Sequence, residues 1–389
     1  MNEMNEAEFQ RELTQWRHHL HANPETAFEE VHTAEFVASN LEKMGLEVCT
    51  GIGKTGVVAT LKAGSGDAVI GIRADMDAIS LTEQGAHTYT SRNPGKMHGC
   101  GHDGHTATLM GAAQLLARQR NFNGTVRFIF QPAEEPGYGA RAMIEDGLFE
   151  RFPVDEIYGL HNAPFLPAGT IHTRCGGIMA SEDDFIIRIT GKGGHASSPH
   201  QGNDPLASAV EIYQGIQTIV SRSINPLHPA VVSVTEFLTD GAHNAIPTHV
   251  ELRGDARSCS AADQELIESR MRSICEGVSR MNQVACEFSY THEFYPLCNT
   301  ARCVDTAVKA ARQVAGEERV NGNCEAWMGS EDFAEFLKEV PGCFVLLGSG
   351  SSSEPSQNTP LHNAQFDYND EILITGARFW AELVRQRLA

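Results

Sequence analysis

Three imidazoles, a thiol and a carboxylate fall within eight residues in the stretch Met97-His98-Gly99-Cys100-Gly101-His102-Asp103-Gly104-His105. Imidazole nitrogen and thiolate sulfur are the donors that borderline-soft divalent metals prefer. Glycines at 99, 101 and 104 allow the backbone turns by which neighbouring side chains converge on one point. A turn carrying incidental histidines is the competing reading. One loop cannot complete a metal site, so the remaining donors must come from distant parts of the chain.

Candidates stand at the ends of three apolar runs. The run 68–73 leads into Asp75 and Asp77, where ligand crevices of open α/β sheets lie; a turn or cap role for either aspartate is equally open. The run 124–130 delivers Glu134-Glu135. Adjacent carboxylates raise each other's pKa unless a cation intervenes, and a solvated acidic turn is the alternative. The run 156–160 ends in His161. A parallel sheet gathers its carboxyl edge in space, so the repetition carries more weight than any one residue.

The elements that would position these donors follow from periodicity. Phe9, Leu13, Trp16 and Leu20 have helical spacing, closed by Asn23-Pro24. Further helices are predicted over 31–44 and 106–118, and strands over 57–61, 68–73, 124–130 and 156–160. From about residue 180 the pattern changes to strand 184–190, helix 204–221, strands 230–239 and 247–257, helix 261–281 and strand 284–290. That βαββαβ order is ferredoxin-like. Helices over 301–315 and 331–338, a strand over 343–348 and a closing helix over 371–387 return to α/β material, with a flexible loop expected at 351–356. The predicted class is α/β: an open, mostly parallel sheet with helices on both faces, plus an inserted α+β lid or dimerisation domain. Residues 1–179 and 294–389 would form the first domain and 180–293 the second.

Composition narrows the function. The 389 residues are 41% apolar, and their net charge of -20 would be repelled by nucleic acid or an anionic membrane. No apolar run approaches the ~20 residues that span a bilayer. The acidic start Met1-Asn2-Glu3-Met4 lacks an export signal, so a cytoplasmic location is expected, with most of the ten cysteines reduced.

Taken together, the motifs resemble those of the dinuclear metalloamidohydrolases that include aminoacylases, zinc carboxypeptidases and hippurate hydrolases, and most of all the hippurate and auxin-conjugate branch. They are His21-Ala22-Asn23-Pro24-Glu25, Arg73-Ala74-Asp75-Met76-Asp77, the cluster at 97–105, Gln131-Pro132-Ala133-Glu134-Glu135 and Gly159-Leu160-His161-Asn162. Gly193-Gly194-His195-Ala196, Asn244-Ala245-Ile246-Pro247, Gly329-Ser330-Glu331-Asp332-Phe333 and Leu361-His362-Asn363 complete them in family order.

The resemblance implies two divalent ions, zinc or manganese first and nickel or cobalt as further candidates. Their ligands would be Cys100, His102, Glu135, His161 and His362, with Cys100 in the bridging place that aspartate takes in other branches. It implies Glu134 as general base supported by Asp77, His195 as donor to the tetrahedral oxyanion, and Asn244 and Arg257 as holders of a substrate carboxylate. The implied reaction is hydrolysis of an N-acyl amino acid by a homodimer joined through the lid, a tetramer being open. A dipeptidase or carboxypeptidase of the same fold, and a catalytically silent metal-dependent binding protein, are the alternatives.

Overall fold

The computed structural model describes residues 5–351 and 358–389. Most of the loop expected at 351–356, and the start Met1–Met4, lie outside the described residues. In chain order the main strands are β1 (Glu47–Ile52), β2 (Gly56–Ala63), β3 (Val69–Asp75), β4 (Gly124–Gln131), β5 (Glu156–Pro167), β6 (Glu182–Thr190), β7 (Ala230–Thr239), β8 (His249–Ser258), β9 (Ala285–Phe294) and β10 (Gly342–Gly350). The longer helices are α1 (Glu6–Ala22), α2 (Val31–Lys43), α3 (His102–Gln119), α4 (Pro205–Arg222), α5 (Ala261–Asn282), α6 (Ala301–Ala315) and α7 (Leu373–Arg387).

Two compact units result. The first comprises Met1–Gly176, Asn299–Glu325 and Asp332–Ala389; the second comprises Gly177–Cys298 and Ala326–Glu331. The stretch 180–293 falls inside the second unit. The segment Ala326–Glu331 rejoins it through two backbone bonds, Trp327 N–H to Ile178 O at 2.8 Å and Ala180 N–H to Gly329 O at 2.9 Å. Periodicity carries no trace of that return.

In the first unit an eight-stranded sheet runs β1-β2-β4-β3-β5-β10, then the short strands Ile171–His172 and Val320–Asn321. The central strands β4, β3, β5 and β10 are parallel, and β1 and β2 form an antiparallel edge. Parallel strands are apolar on both faces, which is why β3 opens with the apolar run Val69–Ile72 and β5 with Ile157–Leu160. Strand β1, half exposed, gives no such signal and was not anticipated. On β3, Ile70 and Ile72 join the core formed with the helices, including Leu13, Val37, Leu109 and Trp380. The alternate residue Arg73 faces the other way, its Cζ 5.8 Å from the Phe333 ring.

Helix α3 begins at His102, four residues earlier than the expected Thr106. Gly104 argued for a loop, since glycine weakens a helix. Its role is instead close packing: a Cβ there would lie 2.3 Å from Cε2 of the buried Tyr368 ring. Gly101, at φ +96°, makes the turn that starts the helix. His102 and His105 therefore stand one turn apart on one helical face.

The second unit holds an antiparallel sheet in the order β7-β8-β6-β9. Numbered by their succession within the unit, this is 2-3-1-4, the ferredoxin-like arrangement. Strand β6 alternates, burying Phe185, Ile187 and Ile189 against Ile212 and Ile216 of α4 and Ile267 and Met271 of α5. Asp204 caps α4 by accepting from Leu206 and Ala207 N–H, and the Ser260 side chain accepts from Asp263 N–H to cap α5. Such caps are each worth about 1 kcal/mol. Among the described residues no helix is long and apolar enough to cross a membrane, and all ten cysteines are unbridged.

Candidate metal centre

The carboxyl ends of β3 and β4, the middle of β5, which runs on past the expected end at residue 160, and the first turn of α3 meet at one place. Cys100, His102 and His161 offer donor atoms within 4.8 Å of one another, as do Cys100, Glu135 and His362, and again His102, Glu134 and Glu135. All five residues named as ligands from the sequence are thus drawn together, with Cys100 common to two groups. Cys100 Sγ lies 3.3 Å from His161 Nε2. Glu135 Oε2 lies 3.3 Å from His362 Nε2, and Glu135 Oε1 lies 3.9 Å from His102 Nε2.

Local structure fixes each donor. Asp77 uses both carboxylate oxygens: Oδ1 lies 3.2 Å from His102 Nδ1, and Oδ2 accepts from Glu135 N–H at 3.0 Å. The Asp77 carbonyl is also 2.9 Å from His102 Nδ1. A proton held on Nδ1 turns the Nε2 lone pair into the cluster. His161 does likewise, with Nδ1 2.8 Å from Asn162 O. After β4, Ala133 takes a left-handed φ of +49° and its N–H donates to Glu30 Oε1 at 2.9 Å. That bend delivers Glu134 and Glu135 side by side. Glu134, buried, places Oε2 3.9 Å from His102 Nε2. His362, the one exposed donor at 54%, is held by its N–H donating to Gly99 O at 2.8 Å.

These residues fit a divalent ion. His102 Nε2 and Glu135 Oε1 are buried atoms with no hydrogen-bond partner among the described residues, an arrangement that is costly unless a ligand satisfies it. Burial works against charge on His102, yet Asp75 and Asp77 outweigh it and hold its imidazole well above the ordinary pKa. The pocket therefore favours positive charge at Nε2. Burial, with the Glu135 carboxylate beside it, pushes the Cys100 thiol up; a metal ion would be needed to hold it as thiolate. Burial and the neighbouring His105 keep His161 well below its usual range, in the neutral form that ligates.

Residues that the sequence reading passed over support this cluster. His105 Nδ1 lies 2.6 Å from Asp75 Oδ1 and its Nε2 lies 2.7 Å from Asn162 Oδ1. Arg73, fully buried, bonds Asp75, Gln131 and Asp332. The alternation Arg73-x-Asp75 on one strand face was the available signal.

Three predicted residues sit in the second unit. His195 pairs with Ala245 across a two-residue ladder, and its Nδ1 contacts Ser197 Oγ at 2.8 Å. Asn244 is its neighbour, its carbonyl accepting from Ala196 N–H at 3.0 Å. Arg257 is already engaged: Nε donates to Asp255 Oδ1 at 3.1 Å, Nη2 lies 3.1 Å from Glu182 Oε2, and Nη1 donates to Met328 O at 3.2 Å.

A knot of imidazole, thiol and carboxylate donors gathered on a parallel sheet marks a candidate metal centre. More particularly, the chain belongs to peptidase family M20/M25/M40, whose profile matches residues 71–386, and it is a hydrolase. It is 39% identical to the hippurate hydrolase of Campylobacter jejuni over 98% of both chains. It is 38% identical to an N-acetylcysteine deacetylase of Bacillus subtilis over 96% of both. A solved Bacillus subtilis structure, described as a dinuclear metal binding peptidase from the M20 family, superposes with a TM-score of 0.86 at 34% identity, covering 98% of this chain and 99% of that one.

Proposed function

We propose that the enzyme hydrolyses the amide bond of N-acyl amino acids, releasing a carboxylate and a free amino acid. The observation that carries this reading is the pair of unpartnered buried atoms, His102 Nε2 and Glu135 Oε1, beside a second carboxylate, Glu134. Cys100, His102, Glu135, His161 and His362 would hold two divalent ions. Bound there, such ions supply a polarised amide carbonyl and a water acidified from a pKa of ~15.7 towards ~7.

The chain's own groups divide the remaining work. Glu135 is committed to the cation, while Glu134 takes a proton from the attacking water and returns it to the departing amine. Asp77 fixes the His102 tautomer and the Glu135 backbone together. Asp75, kept ionised by His102, His105 and Arg73 against the effect of burial, supplies negative potential behind the ligands. In the second unit, His195 would donate to the developing oxyanion and Asn244 and Arg257 would bind the free carboxylate. For Arg257 that requires substrate to displace Asp255 or Glu182 from the guanidinium.

The names of the hippurate hydrolase and N-acetylcysteine deacetylase relatives support an acyl-amino acid substrate. A relative named thermostable carboxypeptidase in Saccharolobus solfataricus, 34% identical over 94% of both chains, supports a peptide substrate as the second reading. Parallel assays of an N-benzoyl amino acid, an N-acetyl amino acid and a simple dipeptide, after metal stripping and refilling with zinc, manganese, nickel or cobalt, separate the two. Turnover of the acyl amino acids is expected to exceed that of the dipeptide; the reverse order favours the peptidase.

We also propose that the second unit joins two copies of the chain. Its edge strand β7 leaves Val231, Phe237 and Leu238 exposed, and α4 exposes Val210 and Tyr213. An unpaired edge with apolar side chains is a template for pairing.

A further inference from the structure

A second knot of metal-type donors lies behind the first turn of α3, outside the centre described above. His21, Glu83 and His87 offer atoms within 4.8 Å of one another. His21 Nε2 is 3.1 Å, and His87 Nε2 is 2.7 Å, from the same oxygen, Glu83 Oε1. The His87 approach lacks hydrogen-bond geometry, so that buried nitrogen has no hydrogen-bond partner among the described residues.

The far side of each imidazole carries a carboxylate. His21 Nδ1 lies 2.7 Å from Asp103 Oδ2, and His87 Nδ1 lies 3.8 Å from Asp367 Oδ2. Asp367 is itself fixed, accepting from Arg17 Nη1 and from the Tyr89 hydroxyl, each at 2.7 Å. A carboxylate bonded to the nitrogen away from the ligating one is the arrangement that orients metal-binding histidines; His21 has it, while at His87 the 3.8 Å separation leaves a charge interaction without a hydrogen bond. Bonds of ~2.0–2.2 Å to zinc place tetrahedral donors roughly 3.3 Å apart. Opening the His87–Glu83 contact from 2.7 Å to that spacing needs a shift of about 0.6 Å, and the His21–Glu83 distance of 3.1 Å is already close to it.

We propose that His21, Glu83 and His87 form a third divalent-metal site, best suited to zinc, with water as the fourth ligand. It would clip the segment 80–96, which contains no helix or strand, to the end of α1. The competing state is a proton shared between His21 and Glu83.

The test uses full-length protein as wild type, His87→Gln and Asp367→Asn. Each is equilibrated with increasing zinc and freed of loosely held ions by gel filtration, and zinc per chain is then measured by mass spectrometry. His87→Gln is expected to hold one zinc ion fewer per chain than wild type, and zinc should raise its melting temperature less. Asp367→Asn removes a negative charge 3.8 Å from His87 Nδ1 and should weaken that ion by about tenfold. Equal zinc content in wild type and His87→Gln at every concentration overturns the proposal. Failure of the main centre to bind metal would lower all three contents together and leave the difference intact. Should His87→Gln not fold, unchanged zinc binding by Asp367→Asn overturns it instead.

Discussion

Arg73 and Asp75 stand two residues apart on β3 and bond each other side chain to side chain, Nη1 to Oδ2 at 2.8 Å, with both side chains fully buried. Residues i and i+2 share a sheet face, so the strand itself sets the pair. The guanidinium continues to Asp332 Oδ1 at 3.1 Å and to Gln131 Oε1 at 2.7 Å, while Asp75 turns its other oxygen to His105. Removing one partner of such a pair strands charge out of water. Arg73→Met should therefore lower stability by about 3–5 kcal/mol, read as a fall in the urea midpoint.

Glu134→Gln keeps the shape of the side chain and removes its capacity to exchange protons. The proposed ligands are other residues, so metal content should stay at the wild-type level. Turnover should fall by at least about 10²–10⁴-fold, measured as kcat on an N-acyl amino acid. Near-normal kcat would remove Glu134 from the role of base.

Cys100 is common to two of the donor groups, so its chemistry weighs on any ion held there. A thiolate favours zinc and a carboxylate also accepts manganese. Cys100→Asp should shift preference towards manganese, seen as a higher manganese-to-zinc ratio after equilibration with both.

Glu30 predicts a pH dependence. Burial, with the negative charge of Asp77 nearby, pushes its carboxyl up to about 7, against about 4.3 when unfolded. A group raised on folding stabilises fully below its unfolded pKa and loses that contribution as pH rises through the folded value. Stability should thus decline between about pH 4.5 and 7 from this residue. Glu30→Gln should flatten that slope and be more stable than wild type at pH 8 by up to about 3 kcal/mol. Thermal melts at a series of pH values decide it; an unchanged slope contradicts the assignment.

Gly104→Ala sets a methyl against the ring of Tyr368, which is buried and has little room to yield. A cost of about 1–3 kcal/mol is expected, seen as a lower melting temperature. Because Gly104 lies between His102 and His105, metal affinity should fall with it.

Much of this was legible because the donors sit where apolar runs stop. Glu134 and Glu135 follow the strand rich in apolar residues at 126–130, and His161 follows the apolar run Ile157–Leu160 within β5. The rest lacked a local signal. The start of α3 was hidden by Gly104, whose reason is a ring more than 260 residues away in sequence. His105 and Asp75 satisfy each other, and a mutual pair leaves no mark on the periodicity of either segment. The return of Ala326–Glu331 to the second unit rests on backbone bonds, which carry no residue preference. Of the carboxylates around Arg257, Asp255 is its i−2 neighbour on β8, whereas Glu182 is brought beside it only by the antiparallel pairing of β6 with β8.

The close contact of α7 with α3 bears on how the polypeptide matures. A Cβ on Gly376 would lie 2.6 Å from Thr108 Cγ2, and one on Gly111 would lie 3.1 Å from Ala377 Cβ, so the two helices meet almost backbone to backbone. Ribosomes make α3 long before α7, and His362 only shortly before it. A nascent chain must therefore wait, its helix α3 uncovered and His362 unmade, until α7 has left the ribosome. Prematurely terminated products would expose that apolar surface, giving chaperones and proteases a means to tell them from the finished enzyme.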